Sequence, residues 1–199
     1  MRIVAAFAYR YEPDWLVDQL RENLSWVDGF AELDTRGRDD VWMPRVERVR
    51  AVQAIARDQG ADWVLALDPD ERLEDGAETA LRALAEMEHG RYSLRMRELW
   101  TPSEYRVDGV WGQKWRKRFY RLGNRDEPRR VDLNIYHLKM IEPANRRERV
   151  RIHSAHNHWD NRGRGFDYML DEEGIVTETI PEGRGFTPPY RPYEFSVSP

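Results

Sequence analysis

The chain opens on a continuously apolar run, Ile3-Val4-Ala5-Ala6-Phe7-Ala8, followed at once by polar residues. Such a run suits a strand buried on both faces of a parallel sheet. After Pro13, the residues Trp15, Leu16, Gln19, Leu20 and Leu24 recur at close to a helical period, which predicts a first helix over 13–26. Phe30-Ala31-Glu32-Leu33 reads as a short second strand. It runs into Asp34-Thr35-Arg36-Gly37-Arg38-Asp39-Asp40, whose composition forbids burial and predicts a loop. Pro44 opens a second helix with Val46, Val49, Val52, Ile55 and Ala56 along one side, and Gly60 is placed to stop it in a left-handed cap. Trp63-Val64-Leu65-Ala66-Leu67, bounded by Asp62 and Asp68, is too short for a helix and predicts a central strand. A third helix, over 76–87 with Leu81 and Leu84 inward, ends before Gly90. Three strand–helix repeats in succession are the signature of an open parallel α/β sheet.

Beyond residue 90 the pattern changes. Tyr92, Leu94 and Met96 alternate with Ser93, Arg95 and Arg97, as in a strand with one buried face. Further strands are expected over 118–122 and 135–140, so the second half reads as mixed α+β. The segment from Arg146 mixes helical and irregular signals. The end of the chain, from Pro181 through Pro188-Pro189 to Pro199, is rich in proline and aromatic residues without periodicity, which predicts an extended tail wrapped on the body or partly disordered.

Composition narrows the chemistry. The 199 residues, 40% hydrophobic, fit one domain with a real core. No window approaches the roughly 18 consecutive apolar residues of a membrane span, and the N-terminus lacks the marks of a signal peptide, so the chain is expected to stay in the cytoplasm. Zero cysteine excludes disulfides, thiolate zinc sites and cysteine nucleophiles. Any metal must then be held by carboxylates, histidine or water, which favours Mg²⁺ or Mn²⁺. With 32 basic and 36 acidic residues the net charge of −4 provides no global field for nucleic acid, and a dedicated duplex-DNA binder is disfavoured. Nearly all the positive charge is arginine, which is codon bias or phosphate recognition.

In open parallel sheets ligands collect beyond the carboxyl ends of the strands. Three loops lie there: 9–12, 34–40 and 68–71. The last carries Asp68 and Asp70 where the central strand stops, with Pro69 fixing the turn between them. Two carboxylates with open positions beside them suit a hard cation that shares its shell with a diphosphate. The competing reading makes Asp68 an N-cap, Pro69 the first helical residue and Glu71 the partner in a capping box, with no metal. Leu73-Glu74-Asp75-Gly76, which reads as loop before the helical pattern begins, weighs against it.

The stretch Ala61-Asp62-Trp63-Val64-Leu65-Ala66-Leu67-Asp68-Pro69-Asp70-Glu71-Arg72 resembles the metal-binding strand and turn of family 2 glycosyltransferases with a GT-A fold. The first strand with Ala8, Tyr9 and Glu12, the 34–40 loop and Arg50 resemble that family's nucleotide-binding half. Trp115-Arg116-Lys117-Arg118-Phe119-Tyr120-Arg121 and Tyr136-His137-Leu138-Lys139 are similar to stretches of small bacterial and phage members. The specific part covers about the first third of the chain. The resemblance implies a single GT-A domain over 1–199. It has an open mixed sheet, a Rossmann-like nucleotide-binding half over 1–75, an α+β acceptor-side half over 90–180 and a tail over 181–199.

It also implies roles. Tyr9, Glu12, Asp34 or Asp39, Arg50 and Asp68 would meet the nucleotide; Asp68, Asp70 and His137 would hold Mn²⁺ or Mg²⁺; Lys139 would neutralise the leaving diphosphate. The donor would be a nucleoside-diphosphate sugar. The acceptor would be the hydroxyl of a glycan, a protein or a modified nucleic acid, attacked with inversion. A carboxylate must take the acceptor's proton. Glu98, Glu104 and Asp108 are the candidates, with Asp108 favoured for its neighbours Gly109, Trp111 and Gly112, which read as an exposed turn with an aromatic sugar platform or as a turn alone. His153, His156 and His158 do not share a helical face, and a surface loop is expected for them. His89 reads as a helix C-terminal residue that complements the dipole. Two other functions compete: a metal-dependent phosphotransferase or phosphatase built on the Asp-x-Asp turn, and a non-catalytic module that grips single-stranded nucleic acid or carbohydrate with the arginine- and tryptophan-rich 111–121 region.

Overall fold

The computed structural model describes residues 1–36, 45–109, 111–156 and 166–193; the side chains of Arg45, His153 and His156 also lie outside the description. The first half follows the predicted repeat: β1 (Ile3–Tyr9), α1 (Asp14–Asn23), β2 (Gly29–Asp34), α2 (Arg45–Asp58), β3 (Trp63–Ala66), β4 (Glu71–Leu73) and α3 (Ala77–Glu86). The second half holds β5 (Arg91–Thr101), β6 (Glu104–Arg106), β7 (Trp115–Arg121), β8 (Arg129–His137), a 3-10 turn (Leu138–Met140), α4 (Pro143–His156) and β9 (Thr177–Thr179). All described strands join one open sheet in the order β2-β1-β3-β7-β5-β6-β9, with β8 paired to both β5 and β4. Pairing is parallel for β1–β2, β1–β3 and β5–β8, and antiparallel for β3–β7, β5–β7 and β4–β8. The chain is therefore a mixed α/β open sheet, with a parallel first half joined to a second half of mixed pairing.

Burial explains the layers. Ile3, Ala5 and Phe7 on one face of β1, with Trp63, Leu65, Tyr92, Leu94 and Phe119, meet Val17, Leu20 and Leu24 of the α1 segment and Leu81 and Ala85 of α3. On the other face Val4, Ala6, Ala31 and Val64 meet Val52 and Ala56 of α2. The expected inward valines of α2 divide: Val52 is buried, whereas Val46 and Val49 are exposed, because the helix covers the sheet only with its later turns. Pro13 flanks α1 rather than opening it. Gly60 closes the α2 segment at φ 73°, the left-handed value expected of its cap.

Other expectations are corrected. The 73–76 loop begins later than expected, since Glu71-Arg72-Leu73 is a strand, β4, recruited by β8. The strand expected over 135–140 ends at His137 and gives way to the 3-10 turn; its start lies at Arg129. His153 and His156 belong to α4 rather than to a surface loop, and His158 lies outside the described residues. His89 does follow α3, where its Nε2 lies 2.8 Å from the Arg91 carbonyl. The tail runs over the body as an extended strap to Tyr193, which is buried.

Candidate functional site

The site assembles at the carboxyl ends of the strands. Leu67 donates its backbone N–H to Ala6, the last tie between β1 and the β3 segment, and the chain then turns through Asp68-Pro69-Asp70-Glu71. Glu71 N–H bonds the Asp68 carbonyl at 2.9 Å and the Glu71 carboxylate receives Asp68 N–H at 2.8 Å. Only the second is a capping-box bond; the first is a β-turn bond to the backbone carbonyl, and the turn leads into β4 and not into a helix. Asp68 is left facing outward, its side chain 54% exposed. Asp70 points inward, its side chain 4% exposed. The turn is braced from below by Arg72. This fully buried guanidinium donates to the carbonyls of Pro69, Glu71 and Leu16 and to Gln19 Oε1. Burial pushes Arg72 down to about 10.

Strand register supplies the rest. Glu71 of β4 and Glu98 of β5 both sit opposite His137 at the end of β8, so three ionisable residues lie side by side across adjacent strands. His137 Nε2 lies 3.3 Å from Asp70 Oδ2 and its Nδ1 lies 3.0 Å from Glu98 Oε2. The second approach is an ion-pair distance without hydrogen-bond alignment, since both atoms stay without a hydrogen-bond partner. Lys114 Nζ lies 2.8 Å and Lys139 Nζ 3.9 Å from Glu98 Oε1. Arg149 of α4 donates to Asp70 Oδ2, and Arg118 of β7 donates to Glu71 and, at 3.0 Å, to Asp68 Oδ2.

The charges set one another. Burial opposes ionisation of Asp70, but His137 and Arg149 outweigh it and hold the carboxyl far below the usual range. Burial likewise opposes charge on Glu98, and His137, Lys139 and Lys114 overcome it. His137 would be lowered by burial, but Glu98 and Asp70 win against it and against Lys139, so the imidazole leans to its charged form. Burial takes Lys114 down to about 8 against the pull of Glu98. Burial also pushes Glu71 up to about 7 against the field of Arg118, which is the more firmly ionised of that pair. Burial and Asp70 together raise Glu12, whose Oε2 accepts the N–H groups of Arg10 and Tyr11 at 2.9 and 3.1 Å.

Of the residues singled out from sequence, the structure brings together Glu12, Asp68, Asp70, Glu98, His137 and Lys139. Asp34 lies apart, paired with Arg36, whose guanidinium also covers the Tyr9 ring at 4.9 Å. Arg50 is exposed on α2, and Asp39 lies outside the described residues. Asp108 is gripped by Arg106 through both carboxylate oxygens, at 3.0 and 2.6 Å, which holds its carboxyl below the usual range. Trp111 is not on an exposed platform: it is 5% exposed, with Lys114 Nζ 3.7 Å from its ring centre and Arg106 at 5.0 Å. The turn packs tightly because a Cβ on Gly112 would meet the Val107 carbonyl oxygen at 2.4 Å. Sequence reasoning missed Arg149, Lys114 and the site role of Arg118. Only Lys114 carried a signal, as one of the few lysines in an arginine-rich chain.

Asp68 and Asp70 offer the hard carboxylate oxygens that Mn²⁺ and Mg²⁺ accept, His137 adds a borderline nitrogen that suits Mn²⁺ better than Mg²⁺, and Asp68 keeps an exposed face. In this arrangement each is turned to a protein partner, and among the described residues no group of three or more His, Asp or Glu side chains is disposed to hold a metal ion. The donor chemistry suits the ion. Taking it up requires His137 to release its proton and Asp70 to exchange Arg149 for the metal. Two concavities, of about 600 Å³ beside Trp63 and Arg121 and about 1140 Å³ beside His89 and Arg129, open at the other end of the sheet, away from this cluster.

No protein-family model matches the chain, and no curated protein matches it. Among solved structures, the fold is similar to S. aureus TarS at 12% sequence identity and a TM-score of 0.38, over 85% of this chain. The chain spans 42% of that protein's chain. So loose a likeness carries no argument about activity. Among the described residues no helix is long and apolar enough to cross a membrane.

Proposed function

We propose that the chain is a glycosyltransferase that takes its sugar from a nucleoside-diphosphate donor, with the Asp68–Asp70 turn at the centre of the donor site. The observation that carries this reading is the convergence of buried charge at the strand ends. Asp70, Glu98 and His137 are enclosed with Lys114, Lys139 and Arg149, in the place where an open α/β sheet collects phosphorylated ligands. A divalent ion held by Asp68, Asp70 and, once neutral, His137 would supply Lewis-acid neutralisation of the leaving diphosphate.

The protein's own groups do the remaining work. Lys139, Lys114 and Arg149 are cations already gathered at the site, paired with Glu98 and Asp70, and a diphosphate would draw them onto its own negative charge. Asp68, half exposed and steadied by Arg118, is free to accept a bond from a ribose hydroxyl. Neither Glu98 nor Asp108 has a raised proton affinity in the free protein. Glu98 gains basicity when Lys114 and Lys139 are drawn toward an incoming diphosphate, which couples proton abstraction to donor binding. Asp108 has no such release, since Arg106 is stacked between Trp100 and Trp111 at 5.1 and 5.0 Å. Glu98 is therefore the proposed base, about 10²–10⁴-fold in rate.

A thermal-shift series of UDP, GDP and ADP with and without Mn²⁺ tests the reading. Stabilisation by one nucleoside diphosphate that requires Mn²⁺ is expected. A shift with simple phosphate monoesters, together with their metal-dependent hydrolysis, would move the assignment to a phosphatase.

A further inference from the structure

The sheet has one face that its helices leave bare. α2 covers β1, β2 and β3 through Val52 and Ala56, and its Gln53 reaches the Tyr120 hydroxyl at 3.0 Å at the border with β7. Beyond that border, register places Arg91 beside Tyr120, Lys117 and Arg130 on either side of Ser93, and Trp115 beside Arg95, all on the same side of the sheet. α2 does not reach this part of the sheet, whereas α1 and α3 fill the other side; further along the same strands Leu99 and Tyr136 meet Leu16 of α1 and Ile152 of α4, so the bare stretch is the one around Arg91, Ser93 and Arg95. Lys117 and Arg130 are exposed; Arg91, Arg95 and Trp115 are half-buried.

The charge of this face is one-sided. Elsewhere in the fold several arginines are paired with carboxylates, as in Arg21–Glu32, Arg36–Asp34, Arg106–Asp108 and Arg184–Glu74. Arg91, Arg95, Lys117 and Arg130 have no carboxylate within the 4.0 Å of an ion pair among the described residues. Arg91 and Arg95 also keep a buried Nε with no hydrogen-bond partner. Asp132, further along β8, is already neutralised by Arg184 at 3.0 Å. The Arg95 and Arg130 guanidiniums lie over the half-buried Trp115 ring, 5.7 and 5.4 Å from its centre, so an arginine drawn away to a phosphate would uncover the ring. A chain with a net charge of −4 thus concentrates uncompensated cations around one aromatic ring.

We infer that this face binds single-stranded nucleic acid. Successive same-face residues on a strand lie about 7 Å apart, a repeat that an extended sugar–phosphate backbone can follow across adjacent strands. Arginine and lysine meet the phosphates, and the Trp115 ring offers a base the sequence-tolerant stacking surface such sites use. A flat face without a protruding helix or ribbon has nothing to enter a duplex groove. The inference stands independently of the donor site, which lies at the strand ends.

The test is fluorescence anisotropy with a labelled oligothymidylate of about a dozen nucleotides, in wild type, the Lys117→Glu/Arg130→Glu double variant and Trp115→Ala. Binding should weaken with salt, with a log–log slope of about −2 to −3 for four cations at roughly 0.7 per phosphate. The double variant should bind at least about tenfold more weakly, and Trp115→Ala about tenfold. The nucleoside-diphosphate thermal shift should be unchanged in both, which separates failure of this face from failure of the donor site. Unchanged oligonucleotide affinity in the double variant overturns the inference. So does equal competition by heparin or by a duplex of the same length, which would reduce the face to an unselective anionic contact.

Discussion

Two ion networks in this fold use the same residue types and end in opposite states. Under the C-terminal strap, both oxygens of the nearly buried Glu74 carboxylate receive Arg184 at 2.9 Å, and one also receives Asn134 at 2.8 Å. Arg184 reaches on to the Asp132 carboxylate and carbonyl at 3.0 and 2.8 Å. That network is closed: every group has its partner, and it pins residue 184 to β8. At the strand ends Glu98 Oε2, His137 Nδ1 and Arg118 Nε are buried without hydrogen-bond partners, although opposite charges stand close by. An unsatisfied buried polar group costs about 1–3 kcal/mol, so the strand-end network carries a cost that the strap network does not. The same residue types thus make a closed strut in one place and an open cluster in the other.

The comparison breaks most readily at Arg72, which sits under the open network and donates from both terminal nitrogens while its buried Nε keeps no partner. Arg72→Ala removes four donated bonds from a buried guanidinium and leaves a void, and should cost about 4 kcal/mol in urea unfolding. A loss under about 1 kcal/mol would mean that the Asp68–Asp70 turn holds its shape without it.

The pH dependence sharpens the contrast next. Glu71 is raised from 4.5 to about 7, so between those values the folded chain binds a proton that the unfolded chain has released. Stability contributed by this group therefore falls as pH rises from about 4.5 to 7, by up to about 3 kcal/mol, and the deficit is fully present above 7. Glu71→Gln should flatten that limb of the stability curve. A wild-type curve that rises over the same interval, with the variant parallel to it, would show that Arg118 keeps Glu71 ionised throughout.

Arg184→Ala comes third. Its side chain is 30% exposed, so water replaces part of what is lost, and about 2 kcal/mol is expected, with nucleotide binding unaffected. Coupled loss of stability and of nucleotide binding in this variant would erase the distinction between the two networks.

Legibility from sequence tracks the same divide. The apolar runs of β1 and β3 needed only their own side chains to announce themselves, because a strand buried on both faces cannot hide its composition. Of β7 only the later part was legible, as the strand expected over 118–122; its start at Trp115 was not. Its charges face a bare sheet surface and a site, and a bulge beside Ser93 shifts its alternation. β4 was illegible because three residues become a strand only when β8 arrives beside them. In the site, Asp68 and Asp70 could be singled out from local pattern and His137 from the resemblance, whereas Arg149 could not: α4 carries arginines at 146, 147, 149 and 151, and nothing in their spacing tells which one reaches Asp70.

The donor-site proposal requires that Asp70 serve a ligand rather than the fold. Titration calorimetry of the nucleoside diphosphate selected by thermal shift, with Mn²⁺, into wild type, Asp70→Asn and Glu74→Gln decides it. Metal-dependent binding should be lost in Asp70→Asn and retained in Glu74→Gln. Retention of that binding in Asp70→Asn would contradict the proposal.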